Sequence, residues 1–116
     1  MDDRRGEIRV ADQVVAVIAS IVTEEVQGIS IKGGLYQDLA KKIGGGARGI
    51  SVAISEGQIV IDMRVTVTYG MHIHQVCTEL QEKVKETVEM LTGLKVEAVN
   101  VRVEGIDIKN SERPAQ

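Results

Sequence analysis

Aromatic side chains are almost missing from this chain: among 116 residues there is no Phe and no Trp, and the two Tyr are Tyr36 and Tyr69. A core without large rings must be filled by aliphatic groups, and 30 residues are Val or Ile. β-Branched side chains favour sheet, so this composition points to packed strands covered by helices. Cysteine is scarce as well. The single Cys77 cannot form an internal disulfide, which suits a reducing cytoplasm. An excess of positive charge is also missing. The net charge of −3 and pI of about 5.4 speak against nucleic acid as a partner, because domains that bind it are usually basic. No apolar run approaches the ~20 residues of a membrane span. The opening MDDRRGEIRV is too polar for a secretion signal. Protein partners stay open, and any meeting with a membrane is expected to be mediated by another molecule. The length suits one domain over 1–116, ordered over about 6–108 and closed by a polar, flexible tail at 109–116.

The strongest pattern lies in residues 50–70, ISVAISEGQIVIDMRVTVTYG. Ile50, Val52 and Ile54 alternate with Ser51, Ala53 and Ser55. After Glu56-Gly57, one face carries Ile59, Ile61, Met63, Val65, Val67 and Tyr69. The other carries Asp62, Arg64, Thr66 and Thr68. Strand side chains alternate between faces with period two, so this is a hairpin with one buried and one wet face.

Upstream, residues 7–10 suit a short strand, and Asp12 is placed to cap a helix running to about Glu25. Its expected buried stripe is Val14, Val15, Ile18, Ile21, Val22 and Val26, closed by Gly28. A short extended piece follows at 29–32. Gly33-Gly34 then break it, a short helix is expected over 35–43, and a loop over 44–49. Downstream, a helix over 73–91 has Ile73, Val76, Cys77, Leu80, Val84, Thr87, Val88 and Leu91 on one stripe. Glu79–Lys83 forms an i,i+4 pair on its polar side. Gly93 ends that helix. A last strand through Leu94, Val96 and Ala98, then Val99, Val101 and Val103, changes apolar phase after Ala98, which implies a bulge or a change of partner. The expected fold is α+β: a two-layer α/β sandwich with a mainly antiparallel sheet, helices on one face, and the core order βαββαβ plus a short extra helix.

Chemistry is hard to find. His72, His74 and Cys77 do not make a zinc pattern, and Cys77 lies on the apolar stripe. A catalytic thiolate also needs a base with an orienting group and an electropositive setting, and no third orienting residue is evident. The 44–49 loop lacks the phosphate-binding GxxxxGK[ST] pattern. Gly46-Ala47-Arg48-Gly49 matches the GxxG of RNA-binding KH domains, but a strand follows it where that fold has a helix. An RNA-binding module using this loop, with Lys41 and Lys42 nearby, is therefore the alternative reading. No pair of carboxylates is forced together, and Asp62 is expected to pair with Arg64 or Arg102. No cofactor and no metal site is expected, and the protein reads as a non-enzyme.

Several blocks together resemble the alkaline shock protein family, the envelope stress response proteins of Gram-positive bacteria. They are Gly6-Glu7-Ile8-Arg9-Val10, Glu25-Val26-Gln27-Gly28-Ile29, Arg48-Gly49-Ile50, Ile59-Val60-Ile61-Asp62, Val65-Thr66-Val67-Thr68-Tyr69-Gly70, Thr92-Gly93-Leu94 and Val99-Asn100-Val101-Arg102-Val103. The resemblance implies a cytoplasmic, non-enzymatic structural or interaction protein of cell-envelope homeostasis. It implies homo-oligomers and a membrane-anchored family member as partner. It also leaves open a regulator linked to lipid metabolism. From the residues themselves, the expected interaction surface is Arg48 with the wet face Val60, Asp62, Arg64, Thr66 and Thr68, since sheet faces and unpaired edges are natural templates for association.

Overall fold

A computed structural model describes residues 6–32 and 49–108. The expected helix at 35–43, the loop residues 44–48 with Arg48, Lys41 and Lys42, and the tail at 109–116 lie outside the described residues. The elements, in chain order, are α1 (Asp12–Glu25), β1 (Ile29–Ile31), β2 (Ile50–Ser55), β3 (Gln58–Thr68), α2 (Ile73–Thr92) and β4 (Lys95–Asp107).

β3 is the spine of one four-stranded sheet. Along one of its edges β2 pairs antiparallel from Ser55↔Gln58 to Ile50↔Met63, and β1 continues antiparallel from Ile31↔Val65 to Ile29↔Val67. β4 takes the other edge, parallel to β3 from Gln58↔Lys95 to Thr68↔Asp107. Both helices lie on one face, as the two-layer α+β reading expects. Two of the three pairings are antiparallel, and the longest is parallel. The parallel pairing follows from connection length. A 20-residue helix spans about 30 Å and an 11-residue strand about 36 Å, so α2 returns the chain almost to the start of β3.

The β2–β3 hairpin turns on Glu56 (φ 51°) and Gly57 (φ 76°). Two consecutive positive φ values give the primed turn whose twist matches paired strands. The expected opening strand at 7–10 does not form. Residues 6–11 carry no regular structure and Ile8 is 94% exposed. Both edges of β3 are already taken, by β1 and β2 end to end and by β4, so the segment has no place beside the central strand.

The core is aliphatic throughout. Ile59, Ile61, Met63, Val65 and Val67 of β3 are buried against Val15, Ala19 and Val22 of α1 and Val76, Leu80, Val84 and Val88 of α2. The stripe of α1 is rotated from the expected one: Val14 and Ile21 are exposed, and Ala16, Ala19, Ser20 and Thr23 face inward with the valines. Small residues let a helix approach its neighbours closely, and the hydroxyls of Ser20 and Thr23 are satisfied by donating to the Val17 and Ala19 carbonyls. Asp12 does not cap α1. Ala11 is the N-cap, without a side-chain hydrogen bond, and Asp12 sits in the first turn, where a carboxylate still favours the helix dipole. α1 ends at Glu25, before Gly28, whereas Gly93 ends α2 in the left-handed conformation as expected.

At the ends of α2, Ile73 and Leu91 are exposed, so the buried stripe is the four-residue run from Val76 to Val88. Tyr69, past the end of β3, is also exposed. β4 carries two bulges. The extra residues are Glu97, between Val96 and Ala98, and Glu104, between Val103 and Gly105. The first sits beside the change of phase visible in the sequence.

Candidate interaction face

The face of the sheet away from the helices is built from alternate strand residues. β3 supplies Val60, Asp62, Arg64, Thr66 and Thr68. Ser51, Ala53 and Ser55 of β2 and Ser30 of β1 flank it on one side. On the other, Ala98, Asn100 and Arg102 of β4 stand beside Val60, Asp62 and Arg64. No described element covers this face. Five of the six surface residues expected from the sequence are thus neighbours on one face, and the sixth, Arg48, lies outside the described residues.

Its electrostatics are organised around Glu104. The bulge carries this side chain across the face, where Lys32 Nζ donates to Oε1 at 3.2 Å and Arg102 lies 3.6 Å from Oε2. The hydrogen bond from Lys32, aided by the charges of Lys32, Arg64 and Arg102, holds the Glu104 carboxyl below its usual range against the opposing effect of desolvation. Arg64 and Arg102 are register partners on adjacent parallel strands, so two guanidinium groups project from the same rung. Arg64 forms no ion pair among the described residues. Asp62 accepts instead from Asn100 Nδ2 at 2.9 Å, so the expected pairing with Arg64 or Arg102 is not made. The reason is geometric: Asn100 is the direct register partner of Asp62, and Glu104 already holds Arg102. Between these two rungs lies a shallow cleft of about 300 Å³ lined by Asp62, Arg64, Asn100 and Arg102.

The backbone of Arg64 is also a fixed point. Its carbonyl accepts from Lys32 N–H at 2.9 Å and its N–H donates to Gly49 O at 2.7 Å. Lys32 and Gly49 are therefore both tied to one residue of the central strand. The sequence signal for this tie is Gly49 itself: at φ 83°, a Cβ there would lie 2.8 Å from Lys32 O.

The other candidate residues do not assemble into a site. His72 and His74 border a shallow depression with Gln75, Thr78, Glu79 and Glu82 on the exposed start of α2. Among the described residues no three His, Cys, Asp or Glu side chains are placed to hold a metal ion. Cys77 is half-buried, and desolvation pushes its thiol pKa up, away from the reactive thiolate. Lys83 leaves Glu79 and approaches Glu25 of α1 at 3.9 Å.

The arrangement is that of a small α+β protein whose distinctive surface is an open, charged sheet face. Comparison with known proteins places it further: residues 1–108 match the family model of the alkaline shock protein 23 family, described as having a cell envelope-related function, and the chain belongs to that family. It is 36% identical over 112 residues to the uncharacterized protein YloU of Bacillus subtilis, covering 90% of this chain and 92% of that protein. It is 27% identical to YqhY of the same organism, over 99% and 87% of the two chains. A stress response regulator gls24 homolog of Streptococcus pyogenes is 28% identical over 94% of this chain and 62% of its own length. Among solved structures, Aquifex aeolicus Era overlays with a TM-score of 0.49 at 11% identity, over 93% of this chain and 35% of that one. No described helix is long and apolar enough to cross a membrane.

Proposed function

We propose that the protein is a non-enzymatic interaction module of cell-envelope homeostasis, acting in the cytoplasm through self-association and through a membrane-anchored partner of its own family. Membership in a cell envelope-related family and the stress-regulator relatives support the setting. The observation that carries the mode of action is the uncovered sheet face, where Arg64, without an ion pair among the described residues, stands on the central strand beside Arg102. Hydrated charges on a rigid sheet hold a fixed pattern for a complementary surface, and such patterns set partner choice and register. The interleaved Asp62 and Glu104 speak against a polyphosphate on this face, since a nucleic acid favours a continuous basic track with aromatic platforms. Sedimentation velocity over a concentration series tests the reading: the wild type forms concentration-dependent oligomers, and a single sharp monomer at high concentration would sink it.

A further inference from the structure

Among the described residues, β4 is an edge strand whose protection runs out halfway. At its start, α2 seals the outer edge: Val96 N–H donates to Glu89 Oε2 at 2.8 Å and Gln81 Nε2 donates to Val99 O at 2.9 Å. From Asn100 to Ile106, no described residue outside β3 makes a backbone hydrogen bond to β4. The apolar cover thins over the same stretch. On the helix-side face, Val96 is 2% exposed and Val99 9%, Val101 and Val103 are half-buried, and Ile106 reaches 44%. Ile106 is the register partner of Val67, which is fully buried. The core is thus closed over β3 and left open one strand further out. On the opposite face of the same stretch, Arg102 stands beside Arg64.

We propose that the outer edge of β4, residues 100–106, binds an extended segment of a partner protein in which apolar residues alternate with carboxylates. An added strand would satisfy the open backbone groups. Its apolar side chains would extend the Val101–Val103–Ile106 surface, and its carboxylates, on the other face, would meet the Arg102 guanidinium, 74% exposed although Glu104 lies 3.6 Å from it, and behind it Arg64, which has no ion pair among the described residues. A second β4 fits less well. Centred on Arg102 it would set like charges opposite each other, which destabilises a strand pair; centred on Val103 it would set Arg102 against a Glu104 already engaged by Lys32 and Arg102 of its own chain. The proposal rests on the reading of the protein as an interaction module, but not on self-association through the sheet face, so sedimentation can fail while strand addition stands, and the reverse.

The test is an NMR titration of the full chain at low salt with a nine-residue peptide alternating valine and glutamate, beside one alternating valine and lysine. The expected result is saturable binding of the glutamate peptide, with amide shifts and slowed hydrogen exchange confined to β4 from Asn100 to Ile106 and its immediate neighbours. Arg102→Glu should weaken Kd at least fivefold, while Arg102→Lys, which keeps the charge, stays within threefold of wild type. A smaller effect of Arg102→Glu, equal binding of the lysine peptide, or shifts mapping to α1 or α2 would overturn the proposal. So would protection of residues 100–106 that grows with protein concentration alone, because a second copy would then be the occupant.

Discussion

At the residue scale, two positive-φ glycines on the hairpin separate backbone strain from steric contact. Gly57 has φ 76° and open space, with nothing within 4 Å of where a Cβ would stand, whereas at Gly49 (φ 83°) a Cβ would press on Lys32 O and Ile31 Cγ2, both at 2.8 Å. Left-handed backbone costs an L-residue roughly 1–2 kcal/mol. Gly57→Ala should therefore lose about 1 kcal/mol in urea unfolding. Gly49→Ala should lose about 2 kcal/mol or more, because the fixed neighbour is backbone and the Arg64 hydrogen bond is strained with it. Equal losses would show that the contact at Gly49 relaxes without cost.

Carboxylates define the acid limb at the same scale. Glu89 is held below its usual pKa first by the Val96 N–H it accepts, then by the charges of Lys85 and Lys95, against desolvation. Glu104 is held down by Lys32 and the neighbouring cations. A carboxyl whose folded pKa lies below its unfolded value contributes stability that is fully present above the unfolded pKa and lost as pH falls through the folded one. Acidifying through and below the usual carboxylate range of about 4.3 should therefore weaken the fold. Glu89→Gln, which keeps an acceptor for Val96 but cannot titrate, should flatten that loss in pH-dependent urea midpoints. An unchanged acid limb in this variant would count against the assigned role.

At the element scale, α1 shows what periodicity leaves open. Val14, Val15, Ala16, Val17, Ile18, Ala19, Ile21 and Val22 are apolar nearly all round the helix, so spacing alone does not select the inward face. Packing selects the side with the small residues. Ala19 is fully buried and Ile21 is 41% exposed. Overfilling a packed core costs typically 1–3 kcal/mol, so Ala19→Leu should destabilise by about that amount, and Ile21→Ala by under about 1 kcal/mol. The reverse ranking would restore the stripe that the larger residues suggest.

The hairpin and α2 were legible because their patterns are long: the apolar alternation from Ile59 to Val67 and the four-residue spacing from Val76 to Val88 each admit one reading. The 7–10 segment offers only Ile8 and Val10, too short a pattern to say whether a partner edge exists. The partnership of β3 with β4 is a property of crossover geometry, which no local pattern in either strand records. The wet face was legible for the same reason as the buried one, since period two fixes both. The partner of Asp62 was not, because it depends on the register that sets Asn100 beside it.

At the scale of the whole molecule, the described residues bury their hydrophobic core on one side of a single sheet. Two helices close one face, and no described element closes the other. The titratable groups of the sheet face lie in an open, shallow relief around Glu104. That arrangement, in a family with a cell envelope-related function, is the basis for reading the protein as one that works by contact.

The most direct test is sedimentation velocity of the wild type and Arg64→Glu over a wide concentration range. Concentration-dependent oligomers in the wild type that are lost in Arg64→Glu, with the monomer fold intact by circular dichroism, are the predicted result. A wild type that remains a sharp monomer at the highest concentration, or oligomers that Arg64→Glu leaves unchanged, would contradict the account.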